Sequence, residues 1–243
     1  MPEYIYGASL RQVYLGLTGQ INERYDETVQ RLRLRFSRGE ELKYISHLDV
    51  MRLWERALRR GKVSLVYSEG YTPHARISLA VPLSIGMTSE AELMDVIVQR
   101  AVSTYFFVET MRQQLPRGLD ILEVSHVPLT APSLQSQVRH AEYRVAVAAD
   151  RSAEEIQAAV DALLRTEKLP WQHLRDTGPR FYDLRNLIEH IWLASCHGLT
   201  FVLGMRLRCD PQGSGRPEQV TAALGLTEHP LHICRTKLIL AEN

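Results

Sequence analysis

Residues 31–36 (RLRLRF) alternate strictly between arginine and an apolar side chain. Successive side chains of a β-strand point to opposite faces, so Leu32, Leu34 and Phe36 share one face and the arginines share the other. The pattern predicts a half-buried strand with one basic face. An open antiparallel sheet can leave such a face uncovered and available for binding.

A helix is predicted soon after this strand. Ser46 and Asp49 form an S-x-x-D start signal with Ser46 as the N-cap, and Gly61 ends the segment. Apolar residues recur between them at helical spacing: Val50, Met51, Trp54, Ala57 and Leu58. The basic residues of the segment fall largely on the other side: Arg52, Arg56, Arg59 and Arg60.

The rest of the chain shows further strand and helix patterns. Strands are predicted at residues 63–67, 77–83, 93–99 and 119–127, with a helix at 104–114. Beyond a polar connector at 128–137, strands are predicted at 142–148, 169–174, 187–196, 199–207 and 231–240, with helices at 153–165 and 217–224.

These patterns predict an α+β protein made of two tandem ferredoxin-like (β-α-β-β-α-β) domains with antiparallel sheets. The predicted domains cover residues 29–128, which contain the basic segment, and residues 138–243. Residues 1–28 are weakly patterned and are interpreted as an N-terminal extension.

Composition limits the class of protein and its location. The chain has 243 residues, no run of about 18 apolar residues and no secretory signal pattern, so we expect a cytoplasmic protein without a membrane contact. Its three cysteines are widely spaced, which favours buried thiols over a disulfide framework or a CxxC-type metal site. No metal site and no cofactor are predicted within the chain.

Charge is distributed unevenly along the chain. Residues 31–76 contain eleven Lys or Arg and five Asp or Glu, whereas the whole chain has a net charge of only +1. Such a basic segment with interleaved tyrosines is typical of proteins that bind a phosphate backbone and stack bases. The candidate RNA-binding or phosphate-binding residues are Arg33, Arg35, Arg52, Arg56, Arg59, Arg60, Arg76, Tyr67 and Tyr71. The alternative is a solvated face paired with local acids, as Glu55 pairs with Arg59 at helical spacing.

Two histidines are candidate catalytic groups. His47 opens the predicted helix, His74 lies in a Gly/Pro loop, and Asp49 is the nearest acidic residue to His47. Histidines in such positions can transfer protons near a phosphate. The alternative is that both are hydrogen-bonded structural residues.

The second half offers Arg185, Arg216 and Arg235 as further candidates, together with the loop PQGSGRP at 211–217. Gly213 and Gly215 could let the backbone N–H groups of this loop bend around a phosphate. A surface hairpin loop is the alternative. The nucleotide-binding, hydrolase and iron–sulfur motifs GxGxxG, GxSxG, HExxH and CxxxCxxC are absent from the sequence.

Two long motifs carry a family resemblance: RFSRGEELKYISHLDVMRLWERALRR and YSEGYTPHARISLAVPLSIGMTSEAELMD. They resemble the radical SAM-linked protein family, a bacterial domain found beside, or fused to, a radical SAM protein. The resemblance covers about residues 30–240, with departures from the family pattern at Tyr71 and Ala75. It implies a separate radical SAM partner, which would carry an iron–sulfur cluster and S-adenosylmethionine, because this chain lacks the radical SAM cysteines. It also implies a connection with RNA through the genes that neighbour the family.

Three functions follow as expectations. The first is an RNA-binding or substrate-presenting accessory protein of a radical SAM enzyme, acting in tRNA or rRNA modification or maturation. The second is a metal-independent endoribonuclease of the tandem ferredoxin-like type, using His47 or His74 as the base. The third is a subunit that only docks a partner protein.

Overall fold

The alternating residues form strand β1 (Gln30–Arg38), whose Leu32, Leu34 and Phe36 side chains are completely buried. This architecture comes from a computed structural model, which describes residues 29–175, 178–226 and 229–241. The N-terminal extension predicted at 1–28 lies outside the described residues.

The predicted helix forms as α1 (His47–Arg60). The Ser46 side chain caps it by accepting a hydrogen bond from the backbone N–H of Asp49 at 3.2 Å, and Gly61 follows its last turn. The helix buries one apolar face consisting of Val50, Trp54, Ala57 and Leu58. Both the start signal and the apolar spacing are therefore confirmed.

The remainder of the first half is β2 (Ile77–Leu79), β3 (Thr88–Val98), α2 (Thr104–Arg112) and β4 (Leu119–Val127). The strand predicted at 63–67 is wrong as a continuous strand, because this segment makes only isolated bridges, Leu65 with Val98 and Tyr67 with Ala75. The backbone N–H of Val66 donates to the carbonyl of Ile97, whereas its carbonyl accepts from the N–H of Arg76, so no regular ladder forms. The strand predicted at 77–83 is also shorter, since β2 ends at Leu79.

The second half contains helices α3 (Leu134–Gln137), α4 (Ala153–Arg165) and α5 (Pro217–Ala223). Its strands are β5 (Val138–Ala148), β6 (Pro170–Arg175), β7 (Gly178–Asp183), β8 (Ile188–His197), β9 (Thr200–Asp210), β10 (Gly213–Ser214) and β11 (His232–Leu240). The strands predicted at 187–196 and 199–207 are confirmed as β8 and β9, which pair antiparallel as a hairpin.

Strands from both halves join in one sheet. Among the described residues, the order β10-β9-β5-β11-β3-β1-β4 forms the main path, with β2 on β3 and β8 on β9, while β6 and β7 form a separate pair. The halves meet where β11 pairs in parallel with β3, at Cys234 with Thr88 and Arg235 with Ser89. The protein is therefore α+β and mostly antiparallel, and its division into two ferredoxin-like domains stays a prediction.

Two hydrophobic cores flank this junction. One core is built from first-half residues around Phe36, Trp54 and Phe107. The other contains the apolar residues of β5, β9 and α4, and it also receives Ala80, Leu83 and Met87 from the first half. The loop after β2 thus packs against the second half. No helix in the described part of the chain is long and apolar enough to cross a membrane.

Candidate functional site

Arg33, which was predicted to bind phosphate, is held inside the protein. Its guanidinium donates to Asp95 Oδ1 at 2.8 Å, to Asp95 Oδ2 at 3.0 Å and to Gln137 Oε1 at 3.1 Å. Arg31 donates to the same carboxylate, and only 3% of the Asp95 side chain is exposed. Arg33 is therefore bound by an acidic residue on β3 that lies outside the basic segment, and its assignment to an open phosphate surface is corrected.

The other arginines of β1 are also engaged. Arg35 is exposed and pairs with Glu123 of β4 at 3.3 Å. Arg38 is buried and donates to the backbone carbonyls of Leu42, Lys43 and Ile45, and burial lowers its pKa. The positive excess counted along the sequence is thus only partly an excess at the surface.

The arginines of α1 provide the open basic surface. Arg52, Arg56 and Arg60 are four residues apart, which places them on one helix face at a rise of about 6 Å per step. They line a groove of about 460 Å³ whose apolar lining comes from Leu42, Ile45, Leu53, Leu115 and Pro116. We call this surface, with its three arginines, the arginine groove.

The three arginines differ in how they are held. Arg52 pairs with Asp49 at 3.3 Å, and both side chains are more than half exposed. Arg60 donates to the backbone carbonyl of Gln114 at 2.6 Å. Arg56 is exposed and has no side-chain partner among the described residues. A guanidinium without an internal acceptor can bind an external anion without first breaking an existing pair.

The remaining first-half candidates lie around α1 and the loop that follows it. Arg59 pairs with Glu55 at 2.7 Å, and hydrogen bonding with Tyr67, together with the charge of Glu55, raises the pKa of Arg59. Tyr71 is fully exposed, and Arg76 is also exposed. The predicted local pairing of Glu55 with Arg59 is therefore present.

The histidines are not brought into contact with each other. His47 is the half-buried first residue of α1, and His74 is exposed in the loop before β2. Asp49 accepts hydrogen bonds from Ser46 and Arg52. Both bonds lower the pKa of Asp49, and the bond from Ser46 has the larger effect. No hydrogen bond or ion pair joins His47, His74 and Asp49 in the part of the chain that the structure describes.

A second concave surface lies between the two halves. It has a volume of about 630 Å³ and is walled by residues 81–84 from the first half and by Arg208 and residues 210–217 from the second. Arg216 and Arg235 line it, as do Arg180 and Asp183 of β7. We call it the polar cleft. Arg185 is not part of it, because its guanidinium donates to the carbonyls of Ile188 and Leu164.

Arg235 lies at the bottom of this cleft and is only 1% exposed. It forms a bidentate ion pair with Glu92 of β3, with contacts of 2.5–2.9 Å. Burial opposes its charge, but the neighbouring Glu92 carboxylate reverses this and raises the pKa of Arg235. Tyr143 lies beside it, and burial raises the pKa of that phenol to about 12.

The PQGSGRP loop is a hairpin and not an open phosphate nest. The backbone N–H groups of Gln212 and Gly213 both donate to Asp210 Oδ1, at 2.8 and 3.0 Å. The N–H of Gly215 donates to the carbonyl of Arg208 at 2.9 Å. Gly215 is needed because an added Cβ would lie 2.9 Å from the carbonyl oxygen of Leu187, whereas at Gly213 it would meet only the end of the Leu187 side chain. The hairpin alternative for this loop is therefore correct.

The roles of several residues in these sites could not be assigned from the sequence. The roles of Glu92, Asp95, Tyr143 and Arg180 depend on neighbours that are distant along the chain. Glu92 and Asp95 stand in the second family motif, but their arginine partners were not predictable from it.

Among the described residues, no group of three or more His, Cys, Asp or Glu side chains is placed to hold a metal ion. Cys209 and Cys234 are buried as predicted, whereas Cys196 is exposed near the turn of the β8–β9 hairpin, so its predicted burial is wrong.

Comparison with known proteins gives a family. Residues 31–217 match the family model described as "Uncharacterized protein conserved in bacteria (DUF2344)". The chain belongs to this family. The match covers α1 and the arginine groove, and it ends just after the hairpin loop that borders the polar cleft. No curated protein matches the chain.

The chain is also similar to solved structures, at low identity. It matches a "Cbf5-Nop10-Gar1 Complex" with a TM-score of 0.50 and 10% identity, covering 85% of this chain and 48% of that chain. An "archaeal box H/ACA sRNP Nop10-Cbf5 complex" gives 0.45 and 11%, covering 93% and 52%. An "H/ACA RNP bound to a substrate RNA containing 2'-deoxyuridine" gives 0.47 and 11%, covering 85% and 47%. The chain spans about half the length of these chains, and the first match indicates a shared fold alone.

Proposed function

We propose that this protein binds RNA through the arginine groove and presents it to a separate radical SAM enzyme in tRNA or rRNA modification or maturation. The observation that carries the RNA half of the proposal is the row of Arg52, Arg56 and Arg60 along one groove, with Arg56 unpaired among the described residues. The tandem ferredoxin-like architecture expected from the sequence belongs to the same proposal.

The chemistry of the groove suits a nucleic acid. Regularly spaced guanidinium groups bind successive phosphates of a backbone and release counterions. The apolar lining from Leu42, Ile45 and Leu53 offers contact area for sugars and bases beside those phosphates. An acidic peptide would also pair with the arginines, but its binding would not depend on phosphate groups.

The test is fluorescence anisotropy of a labelled single-stranded RNA over a range of salt concentrations. The variant Arg52→Gln/Arg56→Gln removes two phosphate contacts, so the slope of log K against log salt should become shallower by about 1.4. Affinity at low salt should fall with it.

A matched control uses two exposed helical arginines elsewhere. Arg112 pairs with Glu109 at 2.8 Å with i,i+3 spacing, as Arg52 does with Asp49, and Arg165, like Arg56, has no side-chain partner among the described residues. Arg112→Gln/Arg165→Gln should bind RNA with the unchanged salt slope. Equal slopes for the two double variants, or no RNA bound by the unaltered protein, would refute RNA binding by this groove.

The radical SAM half of the proposal rests on the family resemblance. It is tested by size-exclusion chromatography of the protein with a purified radical SAM protein from the same genome, with and without RNA. A presenting role predicts a complex that is strengthened by RNA and weakened by high salt. A complex that forms without RNA and survives high salt would indicate a docking subunit instead.

Cleavage of RNA by this chain is not proposed. Metal-independent cleavage requires an acid and a base at the same phosphate. His47 and His74 are joined by no hydrogen bond among the described residues, and no observation favours a shared site.

A further inference from the structure

The polar cleft lies apart from the arginine groove, and the proposed RNA binding does not use it. Its volume of about 630 Å³ falls within the range of small-molecule sites, about 300–1,000 Å³. Its walls come from both halves of the protein, which is a common place for such sites.

The guanidinium of Arg235 forms the floor of the cleft and is held by the protein itself. The Glu92 carboxylate accepts hydrogen bonds from Nε and Nη2 of Arg235, and the carbonyl of Val81 accepts a further bond from Nη2 at 3.1 Å. Nη1 of Arg235 has only a 3.5 Å approach to the carbonyl of Pro82. With Tyr143 beside it as well, this guanidinium is occupied by protein groups, so the contacts to a ligand come from the rim of the cleft.

The rim of the cleft is positively charged. Arg208 is neutralised by Asp210 at 2.6 Å, as Arg235 is by Glu92. Arg180 and Arg216 have no ion pair among the described residues, and Arg180 lies over the ring of Tyr182 at 6.0 Å. Two guanidinium groups without carboxylate partners at one opening favour an anionic ligand, and arginine binds phosphate well.

One acceptor in the cleft favours a second kind of group. Asp183 Oδ1 accepts hydrogen bonds from the backbone N–H groups of Leu169 and Arg185, at 2.8 and 3.0 Å, which fixes the carboxylate. Its Oδ2 has no partner among the described residues, and Asn186 lines the cleft as well. A fixed carboxylate oxygen accepts hydrogen bonds from hydroxyl groups and repels phosphate, so it suits another part of the ligand.

We propose that the polar cleft binds a phosphate ester that also carries hydroxyl groups. Arg180 and Arg216 bind the phosphate, and Asp183 accepts a hydrogen bond from a hydroxyl group. A free sugar phosphate and a mononucleotide share this chemistry.

The test is calorimetric titration of the full chain with ribose 5-phosphate and with uridine 5′-monophosphate, beside ribose and inorganic phosphate. At least one ester should bind about tenfold more tightly than ribose and inorganic phosphate, because only the esters use both groups of residues. The tighter of the two esters distinguishes a sugar phosphate from a nucleotide.

Variants connect the binding to the cleft. Arg180→Gln/Arg216→Gln changes two exposed side chains and should weaken ester binding at least about tenfold, while Asp183→Asn should reduce the preference of the site for the ester over inorganic phosphate. Arg165→Gln should bind the esters normally.

Arg52→Gln/Arg56→Gln should also bind the esters normally, so failure of RNA binding leaves this test intact. Esters that bind no better than inorganic phosphate, or that bind the Arg180/Arg216 variant unchanged, would overturn the proposal.

Discussion

At the scale of single residues, Asp95 shows how the basic strand is accommodated. Its buried carboxylate accepts hydrogen bonds from Arg31 and Arg33, and replacing it with Asn would leave two largely buried guanidinium groups without a counter-charge. We expect Asp95→Asn to lower the free energy of unfolding by about 3–5 kcal/mol, measured by urea denaturation.

Glu123 provides the matched control for Asp95. It also pairs with an arginine of β1, but at 3.3 Å and with 63% of its side chain exposed. Glu123→Gln should cost less than about 1 kcal/mol. Similar losses for the two variants would show that Asp95 is not the main counter-charge of this face.

The burial of Tyr143 predicts that the stability of the protein depends on pH. Burial raises the pKa of its phenol from 10.0 to about 12, so the folded state holds the proton more tightly than the unfolded chain does. The contribution of this phenol to the free energy of unfolding is complete below pH 10.0. It falls by about 2–3 kcal/mol as the pH rises towards about 12. Urea denaturation across this pH range should show that loss, and Tyr143→Phe should lack it. A difference between the two proteins that does not vary with pH would contradict this assignment.

At the scale of elements, the sequence predicts best where the signal is local. Helix α1 begins at its S-x-x-D signal and ends before Gly61, because capping and apolar spacing are properties of neighbouring residues. The β8–β9 hairpin was predictable for the same reason, since its turn lies between two apolar runs.

Elements whose partners are distant in sequence were harder to predict. Residues 63–67 have a strand pattern, but bridges to Val98 and Ala75 leave them irregular. The basic face of β1 seemed open because its counter-charges come from Asp95 on β3 and Glu123 on β4. The polar cleft could not be predicted at all, since its walls meet only when the halves pack together.

At the scale of the whole molecule, the junction of β3 with β11 couples the two halves. Two residue pairs form the parallel contact, Ser89 donates to the carbonyl of Arg235, and the Glu92–Arg235 ion pair lies beside them. Ala80, Leu83 and Met87 extend the contact by entering the second core. Two cores that share this much buried structure should unfold together.

The junction can be tested with two probes of one protein. In a variant whose only tryptophan is Trp54, made by Trp171→Phe and Trp192→Phe, fluorescence follows the first core, whereas far-UV circular dichroism follows the whole sheet. The two urea transitions should coincide.

Adding Glu92→Gln leaves the buried Arg235 without its counter-charge, so the free energy of unfolding should fall by about 3–5 kcal/mol and the two transitions should separate. Glu90→Gln, on the same strand and paired with the exposed Arg144 across the same junction, should cost less than about 1 kcal/mol and keep them together. Separate transitions before Glu92 is changed would mean that the halves fold independently, and the polar cleft would then lie between two units that can part.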